Sequence, residues 1–144
     1  MVKMTFDEDL KRWKQVEIEF ASLLLRRWAT KIELAPDKQF KDWDIMTNEA
    51  TYEVKDDITS ISTWNVWFEY MCNNEVSGVY ASNADYIVYH LDDKFYCVPR
   101  GKLLVWLEFV KKEKKSGWDW NRANLFIVKK SDFLDFVDRQ WWVG

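Results

Sequence analysis

Three charged side chains stand close together in a short alternating segment of the chain. Asp44 precedes an apolar residue, and after eight intervening residues Glu53 and Lys55 flank Val54. Residues 43–47 and 51–55 alternate apolar and polar side chains around a polar turn, which predicts two antiparallel strands. Because residues two apart on a strand share a face, Glu53 and Lys55 should point one way and Val54 into the layer behind. Two carboxylates and an ammonium group on one surface suit metal-assisted phosphodiester hydrolysis.

The spacing of Asp44 and Glu53-Val54-Lys55 resembles the signature of the PD-(D/E)XK nuclease superfamily. An acid two residues before a lysine recurs three times, at Asp9–Lys11, Asp92–Lys94 and Glu113–Lys115. Those copies are predicted at a helix start, in a hairpin turn and at a lysine-rich helix end, whereas Glu53 is predicted inside a strand. On the residues alone, an exposed cross-strand ion pair is the alternative, and such pairs contribute little stability.

A predicted helix from about Phe6 to Ala29 carries Glu17 within its apolar stripe. The stripe consists of residues at helical spacing: Leu10, Trp13, Val16, Phe20, Ala21, Leu24 and Trp28. A carboxylate among apolar side chains is unfavourable unless it is paired or bound to a metal. Residues 16–24 resemble the first helix of archaeal Holliday-junction resolvases, which implies that Glu17 completes the metal site. A salt bridge to Arg26, Arg27 or a strand lysine is the alternative.

Two later segments resemble parts of small phage and viral members of the superfamily. Residues 63–70 resemble a Thr-Gly-Asn…Ile-Glu-Tyr pattern, with Trp64 where those relatives have glycine, and residues 77–86 resemble a Ser-Gly-Ile…Ala-Asp-Tyr segment. The resemblance implies that Glu69 neighbours the metal site, while a charge that protects an edge strand is the alternative. We expect nucleic-acid contacts from four side chains: Asn65, Ser77, Arg100 and Lys102.

The order of predicted elements indicates an α/β fold. After the first helix come a strand over 31–35, the motif strands, a strand over 64–71 and a hairpin of Tyr86–Leu91 with Phe95–Val98. A helix over 102–115 ended by Gly117, a strand at Leu125–Val128 and a short helix capped by Ser131-Asp132 complete the chain. This order predicts a mixed central β-sheet flanked by helices, and the resemblance implies a restriction-endonuclease-like core. The 144 residues, 48% of them hydrophobic, predict one domain, residues 1–144.

Composition narrows the setting of this domain. The net charge of −3 argues against a strong nucleic-acid binder, but four acids in a metal site would leave the remainder at +1, with basic clusters at 11–14, 26–31 and 111–115. Solvated helix faces are the alternative for those clusters.

Cys72 and Cys97 lack metal-ligand spacing and are expected to be reduced core thiols. No apolar run approaches the roughly 20 residues of a membrane span, and no signal peptide is evident, so we expect a cytoplasmic protein with no membrane partner.

The resemblance therefore implies a small stand-alone DNA nuclease that depends on Mg²⁺ or Mn²⁺ and uses no small-molecule cofactor. Asp44, Glu53 and the Val54 carbonyl would hold the metal, while Glu17 and Glu69 would position the attacking water. Lys55 would orient that water and offset developing charge. The alternatives are a catalytically inactive nuclease-fold module that binds DNA or protein, and a ribonuclease.

Two further expectations concern origin and assembly. The phage-like segments indicate a viral or mobile-element protein, which would act in the host cell cytoplasm. Junction-cutting relatives are symmetric dimers, and the C-terminal residues Trp141-Trp142-Val143 offer apolar area that a monomer would have to hide. We therefore predict a homodimer.

Overall fold

The first sheet positions the residues of the predicted motif. The structure, a computed structural model, describes residues 6–36, 40, 42–57, 63–118 and 123–140. Helix α1 (Phe6–Arg27) is followed by five strands that form this sheet: β1 (Ile32–Leu34), β2 (Ile45–Thr47), β3 (Thr51–Asp56), β6 (Tyr86–Leu91) and β7 (Lys94–Pro99). Their order across the sheet is β1-β2-β3-β6-β7. Only β3 and β6 are parallel among these neighbours, so the sheet is mixed.

A second sheet combines two strands that lie between β3 and β6 in the sequence with two strands from the C-terminal part of the chain. It consists of β4 (Asn65–Cys72), β5 (Glu75–Val76), β8 (Glu113–Trp118) and β9 (Ala123–Lys129), in the antiparallel order β5-β4-β9-β8. A 3₁₀ helix (Gly78–Tyr80) follows β5, helix α2 (Arg100–Phe109) follows β7, and helix α3 (Lys130–Gln140) follows β9. The prediction of an α/β fold with a mixed sheet and helices is confirmed.

The prediction of one central sheet is wrong, because the strands predicted over 64–71 and at Leu125–Val128 belong to the second sheet. Strand β4 pairs with β9, which is about 60 residues away in sequence, so that Val66 lies opposite Val128 and Phe68 opposite Phe126. This pairing buries all four side chains in one core. A partner so distant in sequence leaves no signal in the local pattern of β4.

The two faces of the first sheet belong to two different cores. On one face, α1 packs Val16, Phe20 and Leu24 against Tyr52 and Val54. On the other face, Ile87 and Tyr89 of β6 lie in a larger core with side chains of the second sheet, α2 and α3. The period of two therefore sends residues 52 and 54 toward α1 and residues 53 and 55 toward the second sheet.

The local turn chemistry agrees with the sequence. The predicted hairpin is confirmed as β6 and β7, which are joined by Asp92 (φ 49°) and Asp93 (φ 63°). Asn73 and Asn74 (φ 52° and 65°) join β4 to β5 in the same way. Asp and Asn tolerate the left-handed conformation that tight hairpin turns require.

Two helix predictions are wrong at their boundaries. The helix predicted over 102–115 ends at Phe109, and residues 113–118 form β8, so Gly117 lies inside a strand rather than after a helix. Lysines favour a helix only weakly, and here Lys114 and Lys115 pair with Phe126 and Leu125 of β9 instead. The last helix begins at Lys130, so Ser131 lies in its first turn and is not its cap.

The remaining expectations divide into those that lie on described residues and those that do not. Val16, Phe20, Ala21 and Leu24 of the α1 stripe are buried, whereas Trp13 and Trp28, nearer its two ends, are 48% and 42% exposed. Neither Cys72 nor Cys97 forms a disulfide, and Cys97 lies in the core as expected, whereas the prediction that Cys72 is a core thiol is wrong because it is only half-buried near the end of β4. The N-terminal residues 1–5, the side chain of Leu10 and the segment Trp141-Trp142-Val143 lie outside the described part of the chain. Among the described helices, none combines the length and the apolarity needed to cross a membrane.

Candidate active site

The site is built where β3 extends beyond β2. The first residue of β2, Ile45, pairs with Tyr52, so the later residues of β3 continue past the end of β2. Asp44 turns back along this free edge. Its backbone N–H donates to the Tyr52 carbonyl (2.9 Å), and its Oδ2 accepts the Val54 N–H at 2.8 Å. The predicted first motif strand is therefore two residues shorter than expected, and Asp44 caps the edge of β3.

The backbone of β3 points the Val54 carbonyl toward the Asp44 side. The Tyr52 carbonyl accepts from Asp44 on the β2 side of β3, whereas the Asp57 N–H donates to His90 on the β6 side. Because peptide groups two residues apart in a strand point to the same neighbour, Val54 shares the orientation of Tyr52. The Val54 carbonyl oxygen and the Asp44 carboxylate therefore lie on the same side of β3, at its free edge.

Glu53 and Lys55 share a face, as predicted. The Lys55 Nζ lies 3.2 Å from the Glu53 Oε2, and the two side chains are 34% and 15% exposed. Although this oxygen is close to an ammonium group, it is fully buried and accepts no directed hydrogen bond from the described residues. A buried carboxylate oxygen without a directed donor can accept a further hydrogen bond or bind a cation.

Glu17 approaches the same edge from the opposite side of the sheet. Burial, together with the negative charge of Asp44, raises the pKa of Glu17 to about 7, against a smaller opposing effect of Lys14. Burial also raises the pKa of Asp44, the Val54 N–H opposes that rise, and the charge of Glu53 adds to it. Glu17 thus lies near enough to Asp44 for their charges to interact, and Asp44 near enough to Glu53. A role for Glu17 in a metal site stays a prediction, because no three such side chains among the described residues are grouped closely enough to hold a metal ion.

Glu69 and Lys55 line the same cleft of about 460 Å³. Strand β3 contributes Lys55 and Asp56 to the cleft, Asp57 follows directly after that strand, the second sheet contributes Trp67, Glu69 and Leu125, and α1 contributes Arg12 and Trp13. Burial, and then the charges of Asp57, Glu53 and Glu69, raises the pKa of Tyr89 well above its usual value. The Tyr89 hydroxyl is therefore a neutral group that lines the cleft, and it donates to the Trp67 carbonyl at 3.4 Å.

Gly78 supports the position of Glu69. Its φ of +59° is the left-handed conformation that glycine adopts readily, and a Cβ at this residue would collide with the Glu69 carbonyl oxygen. The 3₁₀ helix thereby packs directly on β4 beside a register shift between Glu69 and Met71. The sequence segment Ser77-Gly78-Val79 thus has a structural reason for its glycine.

Sequence reasoning missed an ion-pair group at the end of β3. Asp56 accepts a hydrogen bond from Arg12 Nε at 2.6 Å, and it lies 2.9 Å from His90 Nδ1. Burial alone would raise the pKa of Asp56, but the hydrogen bonds from His90 and Arg12 outweigh it and lower the pKa. The signal in the sequence was the acidic pair Asp56-Asp57 directly after the motif. The structure makes Asp56 the residue that fastens α1 to the end of β3.

The four predicted nucleic-acid contacts are not brought together. Arg100 donates to the Val79 and Tyr80 carbonyls at 2.8 and 2.7 Å, so its guanidinium holds the 3₁₀ helix. The Ser77 hydroxyl is buried and has no hydrogen-bond partner among the described residues. Lys102 is exposed on α2, and Asn65 lines a separate groove. Only Asn65 remains a candidate in a concave surface.

The candidate donors for a hard divalent cation at the edge of β3 are two carboxylates and one backbone carbonyl. Across the described residues, no three His, Cys, Asp or Glu side chains are grouped closely enough to hold a metal ion by themselves. Mg²⁺ is commonly held by only one or two carboxylates, with waters and substrate phosphates completing its shell. Asp44, Glu53 and the Val54 carbonyl offer two carboxylates and one carbonyl oxygen of this kind, and the buried Glu53 Oε2 accepts no directed hydrogen bond from the described residues.

Comparison of the chain with family models, with curated proteins and with solved structures found no match to any of them.

Proposed function

We propose that this chain is a metal-dependent DNA nuclease with a restriction-endonuclease-like core. The observation that carries the proposal is the free edge of β3, where the Asp44 carboxylate accepts the Val54 N–H beside the Glu53–Lys55 pair. The mixed sheet with α1 on one face is consistent with such a core. Membership of the PD-(D/E)XK superfamily is part of the same proposal.

Asp44, Glu53 and the Val54 carbonyl would hold Mg²⁺ or Mn²⁺. All three are hard oxygen donors, and the raised pKa of Asp44 reflects burial and the neighbouring charge of Glu53. A cation between the two carboxylates would relieve their repulsion. When bound, it would polarise a phosphoryl oxygen and make a water molecule more acidic.

The other residues of the site act on water and on charge. Lys55, held beside Glu53, would orient the attacking water and offset charge on the phosphate. Glu17, with a pKa of about 7, can accept or release a proton near neutral pH beside Asp44. Glu69 lines the same cleft as Lys55 and would contact the water or the substrate from the second sheet.

A cleavage panel tests the proposal. The wild-type chain is incubated with linear, circular, single-stranded and branched DNA and with RNA, each in Mg²⁺, Mn²⁺ or EDTA. We expect divalent-metal-dependent cleavage of DNA that Glu53→Gln and Lys55→Ala each abolish. Glu33→Gln is the matched control, because Glu33 is an exposed strand glutamate outside the site.

The same panel identifies the alternatives. Cleavage of RNA alone, with the same loss in both variants, would replace the deoxyribonuclease with a ribonuclease. Binding of DNA without cleavage in any metal would leave the inactive binding module. Cleavage that persists unchanged in both variants would show that the activity comes from elsewhere.

A further inference from the structure

Trp64 is an exposed aromatic residue in a conformation that favours glycine. Its side chain is 72% exposed, and its φ is 59°. The other non-glycine residues with positive φ in the described chain are Asn and Asp in hairpin turns. A bulky residue in this region is unfavourable and persists only when its surroundings hold it there. A strained residue with its ring in solvent calls for a reason other than burial.

Contacts with α3 hold Trp64 in place. The Lys130 N–H donates to the Trp64 carbonyl at 2.9 Å, which ties the start of β4 to the first residue of the helix. The Lys130 ammonium lies 5.5 Å from the centre of the Trp64 ring and is ion-paired with Asp92. Lys130 itself is only 8% exposed. The indole is thus presented to solvent by a buried cation.

The ring forms one wall of a basic groove of about 610 Å³. Besides Trp64, the groove is lined by Asn65, Asp92, Lys94, Lys129 and Lys130. Three lysines against one aspartate leave a local charge of +2 in a chain whose net charge is −3. Lys94 and Lys129 are exposed, so their ammonium groups can reach a bound anion. Charge complementarity therefore favours a polyanionic occupant.

We infer that this groove, the Trp64 groove, binds single-stranded nucleic acid by stacking a base on Trp64 and pairing phosphates with Lys94 and Lys129. Grooves that combine a basic lining with a rigid aromatic platform bind single strands without reading their sequence. The choice of a nucleic acid over another polyanion rests on the proposed function. Trp64 directly precedes β4, which carries Glu69, and the two residues are about 17 Å apart at the usual rise of a strand. The same span corresponds to about five stacked nucleotides, so the groove would hold a single-stranded segment beyond the cleaved bond.

Binding measured in EDTA tests this inference apart from catalysis. A labelled 15-nucleotide oligothymidine, the matching duplex and a polyglutamate peptide are titrated with wild-type protein by fluorescence anisotropy. We expect the single strand to bind more tightly than the duplex and the peptide not to compete. Trp64→Gly should bind the single strand at least about fivefold more weakly while the melting temperature stays near that of wild type, because glycine adopts positive φ without strain.

Three further variants sharpen the result. Trp64→Phe keeps a stacking surface and should lose less affinity than Trp64→Gly. Lys129→Gln leaves the ring in place and should lower the salt dependence of binding by about one phosphate contact. Phe109→Ala removes an aromatic side chain that is 82% exposed outside the Trp64 groove, and its affinity should equal that of wild type.

The outcomes separate this inference from the proposed function. Unchanged single-strand binding by Trp64→Gly and by Lys129→Gln would overturn it, as would equal binding of duplex and single strand or displacement by polyglutamate. Trp64-dependent binding by a chain that cleaves nothing would refute the proposed nuclease activity and support binding at the Trp64 groove. Metal-dependent cleavage together with Trp64-independent binding would refute binding at the Trp64 groove and support the nuclease.

Discussion

The sequence predicts the position of Glu17, and the structure adds the direction and cause of its pKa shift. The apolar stripe of α1 places it against the sheet, and burial together with Asp44 raises its pKa to about 7. In the unfolded chain the same group ionises near its ordinary value of 4.5. The folded protein therefore holds an extra proton at Glu17 between about pH 4.5 and 7.

The first prediction follows from that difference. Since the folded state binds more protons in this window, Glu17 lowers the stability of wild type as the pH rises through it. Glu17→Gln should be more stable than wild type at pH 8, by about 1 to 2 kcal/mol after allowance for solvent screening, and equal to it near pH 4. Urea denaturation at several pH values measures this. Glu19→Gln, an exposed change on the same helix, should show no pH-dependent difference.

The second prediction concerns Gly78. A methyl group at this position would meet the Glu69 carbonyl oxygen in a backbone conformation unfavourable to alanine. Gly78→Ala should lower the free energy of unfolding by about 1 to 3 kcal/mol. Gly101→Ala is the matched control, because a Cβ there meets nothing within 4 Å and lies in α2. It should leave stability unchanged or raise it slightly, and equal losses in both variants would contradict the close packing of Gly78.

At the scale of elements, α1 is fastened to the sheet at its middle by apolar packing and near its start by an ion pair. Phe20 is fully buried, with its ring 5.6 Å from that of Tyr52 and 5.2 Å from that of Phe95. Arg12 reaches Asp56, whose other oxygen is 2.9 Å from His90. The helix that presents Glu17 therefore depends on Asp56 for its position.

The third prediction tests this attachment. Asp56→Asn keeps the shape of the side chain but removes the charge that Arg12 and His90 face, so we expect a loss of about 1 to 3 kcal/mol in the free energy of unfolding at pH 7. Because the folded-state pKa of Asp56 is lowered, the wild-type advantage should shrink as the pH falls through that pKa. Thermal unfolding at pH 7 and at pH 3 measures both effects. Asp138→Asn, an exposed change on α3, should alter neither.

Elements with local signals could be predicted, and elements with distant partners could not. The alternation of residues 51–55 and the Asp92-Asp93 turn determine their strands locally, and both were found where expected. Strand β8 was mistaken for the end of a helix because its lysines carry no strand signal, and its structure comes from pairing with β9.

The same division applies to the candidate site. Glu53 and Lys55 share a face by the period of two, whereas Tyr89 enters the site only through its pairing opposite Lys55 in the parallel register of β3 and β6. Asp56 likewise pairs with His90 through that register. The register between two strands cannot be derived from a single sequence. Tyr89 and Asp56 could therefore not be assigned to the site from the sequence.

For the whole molecule, the distribution of charge determines where a nucleic acid can bind more than the net charge does. The net charge is −3, yet acidic side chains are concentrated near the edge of β3, and the Trp64 groove carries a local positive charge. A nucleic acid would meet the groove favourably and the acidic edge only with a cation present. Binding of a nucleic acid at the edge of β3 should therefore depend on divalent metal. Binding at the Trp64 groove should instead depend on the salt concentration.

The fourth prediction concerns assembly. If the chain cuts branched DNA as its resolvase-like segment implies, it should form a symmetric homodimer, because two cleavage sites must act on one junction. Light scattering at micromolar concentrations should give twice the mass of 17.5 kDa. Monomer mass throughout that range would count against a dimer and against junction resolution.

The central claim is that Asp44, Glu53 and the Val54 carbonyl hold a divalent metal, and calorimetric titration of Mn²⁺ tests it most directly. Wild type should bind the ion, and Glu53→Gln should bind it at least tenfold more weakly, because an amide lacks the charge that a hard cation requires. Lys55→Ala removes a cation next to Glu53 and should retain binding. Absence of binding to wild type, or equal binding by wild type and Glu53→Gln, would contradict the proposed metal site.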